Sequence, residues 1–313
     1  MRETLGIDVG GTGIKMGVVD ADGRIHHFEH YVTLEWRESG DFVGRMIEAI
    51  RKQFRATPGV SRIGIGVPGT LSKDRRTLME LPNIPELNGV PLATHLEAAF
   101  PGVLVRLEND ANAAALGEYF FADDPLPDDY MFITLGTGVG GAAIVDRRVF
   151  LGGDGNSMEI GHIVSRYERR LESNIGKRGI LTMAAALLND HWGQTAMVQH
   201  KDEVITSGKL IQAAGKGDPL ALKVLAEVGE ILGEGLVSAI RILDIKTILI
   251  GGGLSVSYPY IRDSMHQTFR RYLTPYYLDG LTLRLAQLGN DAGVLGAASL
   301  CFEVDDCSRH LAG

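Results

Sequence analysis

Four polar residues stand almost side by side where an apolar segment gives way to an alanine-rich one. The pattern predicts a buried strand over Val103–Leu107 and a helix from about Ala111. Between them lie Glu108, Asn109, Asp110 and Asn112. A carboxylate at a strand end can accept a proton, and an amide beside it can both donate to and accept from a hydroxyl. From residue types alone, a helix N-cap is the better explanation of Asp110.

A glycine turn in the stretch GIDVGGTGIK is a second candidate for chemistry. Its candidate residues are Asp8, Gly10, Gly11, Thr12 and Lys15. Glycines let successive backbone N–H groups point into one concavity that suits phosphate oxygens, and the threonine adds a hydroxyl donor. The aspartate at the strand end can hold a hydrated Mg²⁺ ion. The alternative is a tight β-hairpin with a buried carboxylate, and the spacing favours phosphate binding.

Two further glycine turns follow in the second half of the chain. GTGVGG matches the pattern G-x-G-x-x-G, but a strand-like AAIVD follows where a dinucleotide site needs a helix, so a Rossmann site is rejected. A phosphate-binding hairpin is predicted instead, formed by Gly136, Thr137 and Gly138. The turn LIGGGLS can admit an adenosine at Gly252 and Gly253, or it can be a close-packed corner.

The elements that must position these residues have an α/β order. A β-meander opens the chain, alternating helices and strands follow, and the second half opens with another strand–turn–strand. The two Gly-Thr-Gly triplets begin at residues 11 and 136, an offset of 136 − 11 = 125 residues. We therefore predict two closely coupled α/β domains, 1–117 and 118–297, with a C-terminal helix at 298–313 completing the first.

Composition excludes several classes of protein. The 313 residues carry a formal net charge of −8 and no basic run, which argues against binding a nucleic-acid backbone. No apolar stretch has membrane-spanning length and no secretory signal is visible, so no membrane partner is expected. The cysteines, Cys301 and Cys307, fit a reducing cytoplasm better than a disulfide framework.

Seven motifs in a fixed order carry a resemblance to a known family. They are DVGGTGIK, GIGVPG, LPNIPELNGVPL, ENDANAAALGE, TLGTGVGG, MEIGH and GGGLS. Over nearly its whole length the chain resembles the ROK (repressor, open reading frame, kinase) sugar kinases of the actin-like ATPase superfamily. The resemblance implies a two-domain actin-like ATPase (ribonuclease H-like) fold with an interdomain cleft. It also implies a cytoplasmic homodimer that uses ATP and Mg²⁺ to phosphorylate the 6-hydroxyl of a hexose, as a glucokinase does.

The same resemblance assigns roles to single residues. Asp110 is implied to be the catalytic base, and Asn109 to bind a sugar hydroxyl. The further sugar contacts carried over from the family are Glu159, His162, Gly69 and Asn88. For Glu159 the alternative is an ordinary surface acid. Glu108 and Asn112 are expected to support the turn or to cap the helix.

One segment departs from the family's pattern. Typical ROK kinases have C-x-C-G-x-x-G-C-x-E here, and its three cysteines hold a structural zinc with the histidine of MEIGH; this chain has SNIGKRGILT. The cysteine positions are Ser173, Ile175 and Ile180, so no zinc site is expected. We expect apolar packing to hold the loop 161–182 and His162 to be free for a sugar. Thr182 replaces a sugar-contacting glutamate, which leaves the preferred sugar open.

Two alternatives therefore remain from the sequence. One is a non-catalytic, sugar-sensing ROK protein, although the phosphate motif starts at Asp8 and leaves no room before it for a helix-turn-helix. The other is a kinase for fructose, mannose or an N-acetylhexosamine. A polyphosphate donor in place of ATP also stays open.

Overall fold

The computed structural model of this protein describes residues 3–190, 193, 195–198, 200 and 203–302. The chain forms two compact units. The first comprises Met1–Asp129, Ala142–Ser157 and Gln287–Gly313, and the second comprises Tyr130–Gly141 and Met158–Ala286. Of the helix predicted over 298–313, residues 303–313 lie outside the described residues. The domain boundary near residue 117 stays a prediction.

The strands of the described residues form two five-stranded sheets and a short ribbon. They are β1 (Thr4–Val9), β2 (Gly13–Val19), β3 (Ile25–Val32), β4 (Arg62–Val67), β5 (Thr70–Leu71), β6 (Leu78–Glu80), β7 (Leu104–Asn109), β8 (Tyr130–Leu135), β9 (Val139–Val145), β10 (Arg148–Val149), β11 (Thr247–Gly251) and β12 (Thr282–Leu285). The ribbon pairs β5 with β6 in antiparallel fashion.

The α-helices pack around these sheets. They are α1 (Thr33–Glu38), α2 (Phe42–Ala56), α3 (Leu92–Ala99), α4 (Asp110–Phe121), α5 (Leu171–Ile175), α6 (Lys177–Asp190), α7 (Ser207–Gly215), α8 (Pro219–Leu243), α9 (Tyr258–Tyr272), α10 (Pro275–Leu278) and α11 (Ala292–Ser299). Short 3₁₀ turns connect several of them.

The first sheet brings three strand ends to one edge. Its order is β3-β2-β1-β4-β7, with β1, β2 and β3 antiparallel and β1, β4 and β7 parallel. The carboxyl ends of parallel strands meet at the same edge of a sheet. The register places Asp8, Gly66 and Glu108 in one row across the three strands. This row precedes the glycine turn after β1 and the polar junction after β7.

The hydrophobic pattern accounts for this core. Leu5 and Ile7 of β1 are fully buried, as the apolar run predicts. Helix α11 covers β1 and β4, and this close approach requires glycine in the sheet. A Cβ built on Gly64 would lie 1.8 Å from the carbonyl oxygen of Ala297, so a larger residue there would push the helix away.

The second sheet repeats the topology of the first. Its order is β10-β9-β8-β11-β12, and β11 runs parallel to both β8 and β12. Each sheet therefore has an opening pair of strands around a glycine turn, a third strand beside them, and two parallel strands on the other side. The Gly-Thr-Gly repeat in the sequence reflects this duplicated arrangement.

The structure corrects two sequence-based boundaries. The run from Arg24 to Leu34 reads as one strand in the sequence, but the strand ends at Val32 and a helix begins at Thr33. The segment predicted as a loop around Ser173 is instead two helices, α5 and α6, joined at Gly176. Within the described residues, no helix is long and apolar enough to cross a membrane.

Candidate active site

Asn109, not Asp110, caps helix α4. Its Oδ1 accepts hydrogen bonds from the N–H groups of Ala111 at 2.8 Å and Asn112 at 3.3 Å. Its Nδ2 donates to the carbonyl oxygen of Gly69 at 3.1 Å, which ties the helix start to the end of β4. The N-cap explanation of Asp110 is therefore wrong, because another residue fills that position. Asp110 follows as the first helical residue, and its Oδ1 accepts from the N–H of Ala111 at 2.9 Å.

A buried ion pair lies directly behind this junction. The Nε atom of Arg75 is 3.2 Å from Oε2 of Glu108, and both side chains are largely buried. Glu108 Oε1 accepts from Nδ2 of Asn112 at 3.0 Å and from the N–H of Asn109 at 2.8 Å. Burial raises the pKa of Glu108, and Arg75 lowers it by a smaller amount. Glu108 and Asn112 thus support the turn, as their sequence positions predict.

Arg75 also connects the junction to a distant segment of the first unit. Its guanidinium donates to the carbonyl oxygen of Gly155 and lies 3.4 Å from Oδ1 of Asn156. The Asn156 amide exchanges two 3.0 Å hydrogen bonds with the backbone of Leu71 in β5. The segment after β10 is therefore fixed against the strand that leads away from Gly69.

The first glycine turn is braced by a residue that the sequence did not identify. The N–H of Gly10 donates to the carbonyl oxygen of Gly13 at 2.9 Å, which closes the turn. Buried Thr33 donates its hydroxyl to the carbonyl oxygen of Gly10 at 2.7 Å and its N–H to that of Thr12 at 3.2 Å. Both carbonyl groups are thereby bound to Thr33, and the Thr12 side chain is exposed.

Asp8 and Lys15 face each other across the β1–β2 pair. Burial raises the pKa of Asp8, and the positive charge of Lys15 lowers it by a smaller amount. Lys15 donates from Nζ to the carbonyl oxygen of Asn290 at 3.0 Å, just before α11. The lysine therefore has a backbone partner in addition to the carboxylate charge.

The remaining sugar candidates of the first unit have structural partners. Oδ1 of Asn88 accepts from the N–H of Leu81 at 2.8 Å, so that oxygen is used in holding the loop before α3. The backbone of Gly69 has φ +112°, and a Cβ there would lie 2.1 Å from the carbonyl oxygen of Glu80. Glycine is thus required at this turn, whose carbonyl receives Asn109.

The second and third glycine turns meet within the second unit. The N–H of Gly136 donates to the carbonyl oxygen of Gly138 at 3.0 Å, and the exposed Thr137 lies at the tip. The N–H of Leu254, after the third turn, donates to the carbonyl oxygen of Leu135 at 2.9 Å. Gly252 and Gly253, which precede Leu254 in the third turn, therefore lie at the same end of β8 as the second glycine turn.

A pocket of about 510 Å³ adjoins the second turn. Its lining residues are Thr137, Lys177, Arg178, Leu181, Thr182, Ala185, Val204 and Ile205. The N–H of Lys177, at the start of α6, donates to the carbonyl oxygen of Gly136 at 3.0 Å. Two cations and a hydroxyl beside an apolar wall suit a ligand with a phosphate end and a flat apolar body.

His162 has two carboxylate neighbours, and its role in binding a sugar stays a prediction. Its Nδ1 is 3.7 Å from Oε2 of Glu159, and its Nε2 is 3.4 Å from Oε1 of Glu172. All three side chains remain partly exposed. Burial raises the pKa of Glu159, the charge of His162 lowers it, and Glu172 raises it further. The imidazole is therefore oriented by its neighbours within the second unit.

The segment without cysteines is packed through isoleucine. Ile175 is 1% exposed and Ile180 is 5% exposed, as the packing hypothesis requires. The two glycines that remain of the family pattern allow close backbone contacts. A Cβ on Gly176 would lie 2.8 Å from the carbonyl oxygen of Thr137, and one on Gly179 would lie 2.3 Å from that of Asn174. The absence of a structural zinc stays a prediction.

We expect chelation to leave the melting temperature of the purified protein unchanged. Burying two isoleucine side chains contributes roughly 3–6 kcal/mol before ordering costs, enough to replace a metal clip. Elemental analysis should find far less than one zinc per chain, and a thermal melt with EDTA should overlay the untreated curve. Stoichiometric zinc that is lost on chelation together with stability would contradict this prediction.

The comparisons with known proteins agree with this geometry. The chain is 30% identical to the glucokinase of Thermotoga maritima over 312 residues, covering 96% of this chain and 97% of that protein. It matches the solved ROK family glucokinase of Streptomyces griseus in complex with glucose and AMPPNP, with a TM-score of 0.78, 31% identity, and coverage of 96% of this chain and 99% of that chain. It also matches the solved structure of a Cytophaga hutchinsonii protein provisionally assigned as a sugar kinase. The TM-score is 0.91 and the identity 35%, and the match covers 96% of this chain and 100% of that chain.

Two sheets of one topology, each with a glycine turn after its first strand, define the actin-like ATPase fold. The fold predicted from the sequence is thus confirmed. Within this class the profile of the ROK family matches residues 4–304, and the chain belongs to the ROK family. The family also contains regulators: a xylose repressor of Caldicellulosiruptor bescii is 27% identical, over 95% of this chain and 77% of that protein.

Sequence reasoning missed the residues that support the site. Thr33, Arg75, Asn156 and Glu172 were not identified as functional candidates. Each acts on a residue far away in the sequence or across a turn, so no local spacing reveals it. For Glu172 the sequence does contain one signal, the loss of the cysteines beside it. Without those zinc ligands, the histidine has room for a different neighbour from the same segment.

Proposed function

We propose that this protein is an ATP-dependent hexose kinase of the glucokinase type. It transfers the γ-phosphate of ATP to the 6-hydroxyl of a hexose. Similarity to glucokinases along nearly the whole chain supports this proposal. The observation that carries it is the junction of β7 and α4, where Asn109 takes the capping role and leaves Asp110 as a carboxylate at a strand end that does not cap the helix.

The proposed chemistry follows from the residue types. A sugar hydroxyl is a weak nucleophile that must be placed in line with the phosphorus and must lose its proton. Asp110 accepts that proton as the general base. Asn109 uses Oδ1 for the helix and one Nδ2 hydrogen for Gly69, which leaves a second Nδ2 hydrogen for a sugar oxygen. Glu159 and His162 are proposed to bind further hydroxyls.

Mg²⁺ is part of the proposal, held by Asp8 through water. Asp8 fits a hydrated cation, because burial raises its pKa by more than Lys15 lowers it, and a bound cation would stabilise the ionised carboxylate. When bound, the ion neutralises phosphate charge during transfer. Asp8 positions it, and the backbone N–H groups of Gly11 and Thr12 in the glycine turn bind phosphate oxygens.

We expect Thr137→Val to raise the KM for ATP by about tenfold, since one hydrogen bond to a charged phosphate is lost. The KM for sugar should change far less. Steady-state kinetics with each substrate varied in turn measure both. The control is Thr282→Val in β12, where the hydroxyl bonds only to its own loop at Gly280. An unchanged KM for ATP would make the second glycine hairpin purely structural.

A coupled assay with ATP, Mg²⁺ and a panel of sugars tests the proposed function. Glucose, fructose, mannose and N-acetylhexosamines cover the alternatives left open by Thr182 in place of a glutamate. Phosphorylation of any one of them supports a kinase. Sugar binding by calorimetry with no turnover on any donor, polyphosphate included, would instead support the sensor role, which the repressor relative favours.

The proposal also includes the assembly and location of the enzyme. We propose a homodimer in the cytoplasm, where ATP and hexoses are available. Light scattering coupled to size exclusion decides the first point, because a dimer has twice the 33.8 kDa of one chain. A single-chain mass across the concentrations used in the assay would refute it.

A further inference from the structure

Glu172 is the nearest charged neighbour of the proposed sugar-binding histidine. It lies in the first turn of α5, between the MEIGH motif and the segment that lacks cysteines. Its Oε1 is 3.4 Å from Nε2 of His162, whereas Glu159 approaches the other ring nitrogen only to 3.7 Å. The imidazole is thus flanked by one carboxylate on each nitrogen, and the two carboxylates compete for its proton.

We propose that Glu172 is a positioning residue that keeps the proton of His162 on Nε2 and presents Nδ1, bare, to a sugar hydroxyl. The hydrogen bond made by one ring nitrogen decides which tautomer a histidine adopts. Glu172 is the nearer partner, so it takes the N–H. Such contacts are often long without substrate and tighten in the complex. This inference rests on the proposed sugar kinase function.

The consequence is a site with two acceptors. With the proton on Nε2, both Nδ1 of His162 and the carboxylate of Glu159 are left to accept hydrogen bonds. Two neighbouring hydroxyl groups of a sugar can then donate to them. If the proton lay on Nδ1, the ring would donate to Glu159, and Nδ1 would be lost to the sugar as an acceptor.

The carboxylate of Glu172 lies against the second glycine turn. A Cβ built on Gly138 would lie 2.6 Å from its Oε2, so glycine leaves room for the carboxylate. Thr182, where the family has an acid, has other contacts. Its hydroxyl donates to the carbonyl oxygen of Arg178 at 2.9 Å, and it lines the pocket beside Thr137. Glu172 therefore contacts His162, whereas the Thr182 hydroxyl is bound within its own helix.

Nuclear magnetic resonance of the ¹⁵N-labelled full chain tests the tautomer directly. Long-range ¹H–¹⁵N spectra at about pH 8, where an ordinary imidazole is neutral, distinguish protonated from bare ring nitrogens. His162→Gln assigns the signals. We expect a protonated Nε2 in the wild type and in Glu159→Gln. In Glu172→Ala the proton should move to Nδ1, which then faces Glu159. An unchanged pattern in that variant would overturn the proposal.

Kinetics test the consequence for sugar. Loss of one well-placed acceptor should raise the sugar KM of Glu172→Ala by about tenfold or more, with kcat and the KM for ATP changed much less. The control is Glu168→Ala, the same charge change at an exposed position of the same segment. A sugar KM that stays at the wild-type value while the tautomer shifts would refute the role in sugar binding.

The two readouts separate this inference from the proposed function. If no sugar is phosphorylated, the kinase proposal fails, and the spectra still decide whether Glu172 sets the tautomer. If the kinase is active and Glu172→Ala raises the sugar KM without moving the proton, the kinase proposal stands and the positioning role is wrong. Glu172→Gln serves as a second variant of equal size, and we expect it to lie between the wild type and alanine in both measurements.

Discussion

Asp110→Asn lowers kcat by about a hundredfold or more in our expectation, since a general base contributes a factor of about 10²–10⁴. Asparagine has nearly the shape of aspartate but cannot accept the proton of a sugar hydroxyl. The hydroxyl is then left to lose its proton to water during phosphoryl transfer. The KM for ATP should remain near that of the wild type, because the proposed phosphate contacts lie elsewhere in the chain.

The structure makes this test cleaner than it would be at a capping residue. Asn109 caps α4, so Asp110→Asn leaves both capping hydrogen bonds in place. The substitution also removes one acid from the first helical turn, an effect of about 0.3–1 kcal/mol. Glu35→Gln is the matched control, since Glu35 is an exposed acid in the first turn of α1.

Initial rates at saturating ATP and sugar give kcat, and a thermal melt confirms that the variant is folded. We expect Glu35→Gln to keep wild-type turnover. Near-wild-type turnover in Asp110→Asn would remove Asp110 from the mechanism. Equal losses in both variants would point to the stability of the helices rather than to proton transfer.

Local patterns were sufficient for most of the elements. The apolar run that became β1 and the helical spacing from Asp41 to Phe54 are strong periodic signals, and Asp41 caps α2 as its sequence position suggests. The repeat of Gly-Thr-Gly also predicted two similar opening hairpins. Such features depend on residues close together in the chain, so one sequence is enough to find them.

Features that depend on distant residues could not be predicted. Thr33 reaches a turn more than twenty positions earlier, and Arg75, in the turn between β5 and β6, meets Glu108 of β7. His162 lacks the cysteine partners that the family pattern provides. The fold places the carboxylate of Glu172, in α5, beside its ring instead. A missing motif indicates which contact is lost; it does not indicate which residue of the fold takes its place.

Removing the charge of Arg75 should destabilise the first unit by about 3–5 kcal/mol, because it leaves a buried carboxylate without its partner. In Arg75→Met the side chain volume is largely kept and the ion pair with Glu108 is lost. Arg76→Met is the matched control. The neighbouring Arg76 pairs with Glu97 at the surface, where both side chains are 39% exposed, and such pairs contribute about 0–1 kcal/mol.

Urea unfolding followed by the fluorescence of buried Trp36 reports on the first unit, in a Trp192→Phe background. The double variant with Glu108→Gln should recover part of the loss, because no buried charge is then left unpaired. Equal, small losses in Arg75→Met and Arg76→Met would contradict a buried pair.

The loss should also depend on pH in a definite direction. Burial already raises the pKa of Glu108, and Arg75 is the main group lowering it, so Arg75→Met raises this pKa further. A carboxyl whose pKa is raised by folding binds its proton more tightly in the folded state. Its contribution to stability is complete below the ordinary glutamate pKa and is lost as the pH rises through the folded value.

The difference in the free energy of unfolding between wild type and Arg75→Met should therefore be largest at about pH 8 and should shrink as the solution is acidified through the raised pKa. Glu108→Gln removes the titrating group, so the same arginine substitution in that background should show little pH dependence. A difference that stays the same on acidification would mean that Arg75 stabilises this junction by packing rather than by its charge.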